Sequence, residues 1–142
     1  MRFVDTNVLL YAASTVPEEQ SKARAALLTL ESDDLAVSVQ VLQEFYVQAT
    51  RGSKQDRLSH QQAALLIESF LRFPVQEMTL QLLKAALAAK QRFRISYWDA
   101  AIIEAARAIG CQTILSEDLN HGQDYDGVKV VNPFRGMRPR RP

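Results

Sequence analysis

The chain has 142 residues, of which 47% are apolar and 23% charged, with a single cysteine. That is enough chain for one domain with a sizeable core, and it excludes a disordered polymer, a fibrous repeat and a disulfide scaffold. The net charge of +1 is unevenly spread: the last eight residues hold four of the 17 basic side chains, leaving residues 1–134 with 13 basic against 16 acidic ones. A slightly acidic body argues against nucleic-acid binding by bulk charge, so any such role must rest on a local site.

In chain order, Arg2–Asp5 reads as the end of a buried strand and Asn7–Ser14 as a short helix. Pro17–Glu31 is expected to be a second helix, with proline at its first position and two glutamates in its first turn. Leu35–Ser38 is a strand, Val39–Arg51 a helix stopped by Gly52, and Arg57–Phe73 a helix ended by Pro74. Val75–Met78 is a short strand, and Thr79 caps a helix over Leu80–Arg92. Ser96 caps a helix over Tyr97–Ile109 that Gly110 ends, and Thr113–Ser116 and Val128–Val131 are the last strands. Residues 1–134 form a single domain in this reading, and 135–142 a flexible arginine-rich tail. No apolar run approaches the roughly 20 residues of a membrane span. The opening MRFVDTNVLLYAAS has an acid inside its apolar stretch, so no signal peptide is read and a cytoplasmic protein with no membrane partner is expected.

Strands alternating with helices imply parallel crossovers and an α/β fold: a three-layer α/β/α sandwich around a central, mainly parallel sheet of about five short strands. Weak in/out alternation along the strands fits a sheet buried on both faces. In such sheets a ligand sits beyond the carboxyl ends of the strands, near the point where strand order reverses.

Acids recur near those ends. Asp5 follows R-F-V, Glu117 and Asp118 follow T-I-L-S, Asp99 lies in the first turn of a helix, and Glu44 lies one to two turns into the helix after L-A-V-S. Each has a plain alternative. Asp5, with Thr6 and Asn7, can cap the next helix. Asp99 stands three residues after Ser96, the spacing of a capping box. Glu117 and Asp118 can be turn acids. Glu44 can be a solvated helix residue, although Val41 and Val47 flank it at roughly 60° on the helical wheel. Taken together, carboxylates from four segments at one edge repel one another, and desolvation adds to the cost. A hard divalent cation relieves both, needs few protein oxygens and keeps several waters. Such an ion positions a phosphodiester and lowers the pKa of a bound water.

The strings V-D-T-N-V-L-L-Y at Val4–Tyr11, Q-E-F-Y at Gln43–Tyr46, S-Y-W-D-A-A-I at Ser96–Ile102 and L-S-E-D-L at Leu115–Leu119 resemble the motifs of PIN-domain proteins, most closely the VapC-type toxins of bacterial toxin–antitoxin modules. The resemblance runs from residue 3 to about Phe134. It implies a PIN-like sandwich, a Mg²⁺ or Mn²⁺ cofactor, and hydrolysis of RNA phosphodiester bonds by a metal-activated water. It also implies a cognate antitoxin partner and homodimers. By the same resemblance Asp5, Glu44, Asp99 and Asp118 are the catalytic and metal-holding acids. Thr6, Asn7, Ser116 and Asn120 would support them, and Asp118 is taken over Glu117 because one residue separates the family's Ser/Thr from its acid. Asn120 and His121 stand where many members carry an acid and an aromatic.

Among other residues, His60 and His121 are not expected to serve as catalytic bases, and Cys111 is expected to be structural. Trp98 is expected to pack against the sheet rather than stack on a base. Arg92 and Arg94 are possible contacts for RNA phosphates. The competing class is a non-catalytic PIN-like module that binds RNA or protein. A nucleotide-binding protein would need a glycine-rich loop where D-T-N stands, and an aspartyl-phosphate protein would need a late lysine for which Lys129 is a poor match.

Overall fold

The computed structural model describes residues 1–137; Arg138, Arg140 and Arg141 of the expected tail lie outside the described residues. Five parallel strands form one sheet: β1 (Arg2–Val4), β2 (Leu35–Ser38), β3 (Val75–Gln76), β4 (Thr113–Leu115) and β5 (Lys129–Val131), in the order β3-β2-β1-β4-β5. β1 is central, with Phe3 opposite Ala36 on one side and Ile114 on the other. Phe3, Val4, Ala36, Val37, Ile114 and Val130 are fully buried, as a sheet covered on both faces requires. The chain builds outward from β1 to β2 and β3, then returns to place β4 and β5 on the opposite side. The carboxyl ends of β1 and β4 are therefore the switch point.

Among the described residues six α-helices complete the α/β/α sandwich: α1 (Thr6–Ala12), α2 (Gln20–Leu30), α3 (Val39–Ala49), α4 (His60–Phe70), α5 (Leu80–Phe93) and α6 (Tyr97–Ala108). α1 packs with α2 and α3, and α3 with α4, whereas α5 packs with α6, which also meets β2. α6 presents Ala100, Ala101, Ile103, Ala105 and Ala106 to the interior, and the four alanines permit close approach. Among the described residues no helix is long and apolar enough to cross a membrane.

Several element bounds differ from the sequence reading. The expected helix over 17–31 divides into a 3₁₀ turn, Pro17–Glu19, and α2. The Ser14 hydroxyl donates to Glu19 Oε1 at 2.6 Å, and the Gln20 amide donates to the carbonyls of Ser14 and Val16, which tightens the first turn. The helix expected from Arg57 starts at His60, because Ser59 and Gln62 form a reciprocal capping box. Leu58 still packs on the core, which extends the apolar pattern past the true boundary. β3 stops at Gln76 because its partner β2 ends at Ser38, directly opposite. α5 runs one residue further, to Phe93, and closes on Arg94 in the left-handed region at φ 56°.

Candidate active site

The first acid follows the central strand directly. Asp5 comes just after β1 and caps α1, its Oδ1 accepting the Thr6 N–H at 2.8 Å. Its Oδ2 accepts the Ser116 hydroxyl at 2.7 Å, across the switch point from the end of β4. The same Ser116 oxygen accepts the N–H groups of Asp118 at 3.1 Å and Leu119 at 3.2 Å, and so fixes the loop that carries the fourth acid. Asn7 reinforces the link: its amide donates to Ser116 Oγ at 3.3 Å and Asp5 Oδ2 at 3.4 Å, and its Oδ1 accepts the Glu117 N–H. Asp5, Thr6, Asn7 and Ser116 are all buried, so two polar side chains and the Thr6 N–H lock one carboxylate at the sheet edge.

Glu44 comes from α3, which Ser38 caps where β2 ends. The Gln40 amide, one turn earlier, donates to Glu44 Oε1 at 3.1 Å and to the Trp98 carbonyl at 3.3 Å. Gln40 thus ties α3 to the start of α6. Asp99 lies in the first turn of α6, where its N–H donates to the capping Ser96 hydroxyl. The Asp99 carboxylate accepts no hydrogen bond among the described residues, so the cap does not consume it.

Asp5, Glu44, Asp99 and Asp118 line one cleft of about 280 Å³, together with Thr6, Asn7, Glu19, Lys54 and Glu117. Burial pushes the Asp5 carboxyl from 3.8 up to about 6, against the hydrogen bonds from Ser116 and Thr6, and the charges of Asp118 and Glu44 push the same way. Burial also raises the Glu44 carboxyl, opposed by its bond from Gln40, with Asp99 and Asp118 adding to the rise. These shifts share a cause: carboxylates drawn out of water and toward one another.

Glu117 differs from its neighbour. It accepts the Tyr11 hydroxyl and the Lys22 ammonium, each at 2.6 Å, and is already neutralised. Asp118 is exposed and has no cation within ion-pair distance among the described residues. Asn120 is exposed and is not among the cleft-lining residues. Nor are Arg92 and Arg94: Arg92 pairs with Asp126 at 3.1 Å beside a separate depression, and Arg94 closes α5. His60 meets the Tyr46 hydroxyl, and His121 Nδ1 accepts the Asn132 N–H, both away from the cleft. Cys111 is buried in the core just before β4.

Trp98 corrects an expectation. It does not pack against the sheet; it is 62% exposed and lines the edge of the cleft. The inward face of α6 is taken by Ala100, Ala101 and Ile103, which turns position 98 outward. Sequence reasoning also passed over Gln40 and Lys54. The spacing of Gln40 and Glu44 by four residues on one helix was the available signal.

Among the described residues no three Asp, Glu, His or Cys side chains are drawn together tightly enough to enclose a metal. The donor set nevertheless suits a hard cation of the Mg²⁺ or Mn²⁺ kind: only carboxylates, spread around a cleft with room for waters, which such an ion retains when one or two protein oxygens bind it. The buried Thr6 hydroxyl, which has no partner among the described residues, adds a further oxygen on the same wall.

Fold and cleft together define an α/β protein with a carboxylate site at its switch point. The PIN domain family model matches residues 2–123, and the chain belongs to that family. Solved structures share the fold. The sarcin–ricin-loop-cleaving toxin VapC20 of Mycobacterium tuberculosis is 20% identical, with TM-score 0.64 over 83% of this chain and 90% of that one. A toxin–antitoxin complex from Klebsiella pneumoniae gives 19% identity and TM-score 0.65 over 94% and 98%. VapBC2 of Rickettsia felis, bound to a promoter DNA fragment, gives 17% and 0.63 over 91% and 96%. No curated protein sequence matches the chain.

Proposed function

We propose that this protein is a Mg²⁺- or Mn²⁺-dependent endoribonuclease, the toxin of a toxin–antitoxin pair. The observation that carries the reading is the convergence of Asp5, Glu44, Asp99 and Asp118, from four separate segments, on one cleft in which two of them are held at raised pKa. Such an arrangement costs stability, and the expense is intelligible if the charge is used. Support for RNA as substrate and an antitoxin as partner comes from the structural relatives, one a toxin that cleaves the sarcin–ricin loop and another a toxin–antitoxin complex.

In this reading the four carboxylates hold the cation, which supplies charge neutralisation, polarisation of a phosphoryl oxygen and a lowered pKa for water. Ser116 holds Asp5 and the Asp118 loop in one geometry, and Gln40 aims Glu44. Lys54, also on the cleft wall, is ion-paired with Asp56. In-line attack by water, not by the neighbouring 2′-hydroxyl, leaves 5′-phosphate and 3′-hydroxyl ends. The antitoxin would cover the cleft, and a homodimer is the proposed assembly, to be checked by sedimentation.

The test is cleavage of purified total RNA with Mn²⁺, with EDTA and Asp99→Asn as controls and chemical mapping of the new ends. Cutting that needs both the ion and Asp99, with 5′-phosphate ends, supports the reading. Ends that are 2′,3′-cyclic phosphate, or cutting in EDTA, refute it. RNA that binds without being cut favours the non-catalytic module.

A further inference from the structure

The tryptophan at the cleft edge is left unexplained by the carboxylate site. Tryptophan normally removes a large apolar area from water. Trp98, the only tryptophan in the chain, instead stays mostly in solvent. It is not loosely held. Its ring meets Tyr97 edge-on at 5.0 Å and 78°, and its carbonyl is bonded by the buried Gln40 amide.

Trp98 also lines two adjoining depressions. One is the carboxylate cleft. The other, of about 350 Å³, is lined by Gln43, Val47, Gln48 and Arg51, and shares Glu44, Gln48 and Trp98 with the cleft. Val47 is exposed, so the indole and an aliphatic side chain offer an apolar surface. Around it stand two glutamine amides, able both to donate and to accept, and one guanidinium. A flat π surface, amide edges and a cation within one nucleotide's reach of a phosphodiester site suit a base and its phosphate.

Electrostatics points the same way. Six carboxylates line the cleft (Asp5, Glu19, Glu44, Asp99, Glu117 and Asp118); Lys22 neutralises Glu117 alone and Lys54 is paired with Asp56, so charge alone holds an RNA strand there weakly. Stacking does not depend on net charge and contributes ~1–3 kcal/mol per base. A base can use it only when unstacked from its neighbours, as in single-stranded loops and ends and not in an A-form duplex.

We propose that Trp98 is the stacking platform for an unpaired base adjacent to the scissile phosphate, with Gln43 and Gln48 at the base edge and Arg51 on the flanking phosphate. The inference rests on the ribonuclease reading and adds to it a residue that selects single-stranded RNA.

The single tryptophan makes the test direct. Asp5→Asn, used to prevent hydrolysis, is titrated with a short labelled single-stranded RNA of mixed sequence in Mg²⁺. Label anisotropy reports binding, and Trp98 emission reports stacking. The same strand annealed to its complement is the control. Expected are saturable quenching of Trp98 by the single strand and little by the duplex. In the same background Trp98→Ala should weaken single-strand binding by roughly 5- to 150-fold, the equivalent of ~1–3 kcal/mol. Trp98→Phe should restore most of it, and unchanged circular dichroism in both variants sets misfolding aside. If anisotropy shows binding while Trp98 emission does not move and Trp98→Ala binds as well as its parent, the platform is refuted and the ribonuclease reading stands. If no RNA binds at all, the ribonuclease reading fails and the platform with it.

Discussion

Replacing Asp5 by Asn should stabilise the metal-free protein at neutral pH, although Asp5 caps a helix. Burial holds the folded-state carboxyl at about 6 against an ordinary 3.8. Between those two values the native state binds a proton that the unfolded state does not. Stability is therefore greatest at and below about pH 4 and falls as the pH rises through 6, by up to about 3 kcal/mol for this one group. Asparagine removes that penalty. Its Oδ1 can still accept the Thr6 N–H, but its Nδ2 must face the Ser116 oxygen, which already accepts three N–H donors, and loses the short bond that Ser116 now donates. That loss costs about 1 kcal/mol. The balance is a gain of about 2 kcal/mol at pH 7.5 in EDTA, or roughly 6 °C in melting temperature. At pH 4, where the wild-type carboxyl is already protonated in the fold, the gain should disappear and give way to a small loss, because the missing Ser116 bond remains. Urea denaturation of both proteins at several pH values checks it. Asp5→Asn weaker than wild type at pH 7.5, with no fall in wild-type stability between pH 4 and 7, would show that Asp5 is a helix cap and nothing more.

Ser116→Ala removes the strongest hydrogen bond opposing the rise at Asp5, so the wild-type fall in stability should move to higher pH, as read by the same denaturation series. The variant should also lose about 1–3 kcal/mol from the donors it leaves unpaired. Glu117→Gln breaks a part-buried ion pair with Lys22 and should lower stability by about 1 kcal/mol in thermal melts. It should leave Mn²⁺ affinity measured by calorimetry unchanged, because that carboxylate is already neutralised. His60→Gln and His121→Gln should retain RNA cleavage within about twofold, whereas a histidine acting as general acid or base contributes about 10²–10⁴.

The layout of the site could be read from the chain because its acids follow strands. A short buried strand, then an acid, then a helix places that acid at the carboxyl end of the sheet whatever the details of packing. Asp5, between β1 and α1, is the case of this; Asp118 follows β4 in the loop that leads to β5, and both line the cleft. Asp5 also shows that the two readings of a strand-end acid are compatible, since it caps α1 while facing the cleft. Trp98 departs from its expected place because aromatic residues are only on average buried, while the face of α6 that meets the sheet is chosen by its alanines. Helix α4 was started too early because the apolar pattern runs through Leu58, although the Ser59–Gln62 capping box was present in the sequence. The length of β3 was beyond local reading: it depends on where β2 ends, 38 residues earlier in register. The role of Gln40 depends likewise on a carbonyl 58 residues away.

The central claim is that carboxylates from four segments form one divalent-cation site. It is tested most directly by the stabilisation that Mn²⁺ confers on the wild type, Asp5→Asn and Asp99→Asn, each melted with and without the ion. At about 100 times its Kd, Mn²⁺ should stabilise the wild type by roughly 2.7 kcal/mol. Both variants, from segments 94 residues apart, should lose most of that shift while melting at or above the wild type in EDTA. Equal shifts in all three proteins, or none in any of them, would contradict a shared cation site.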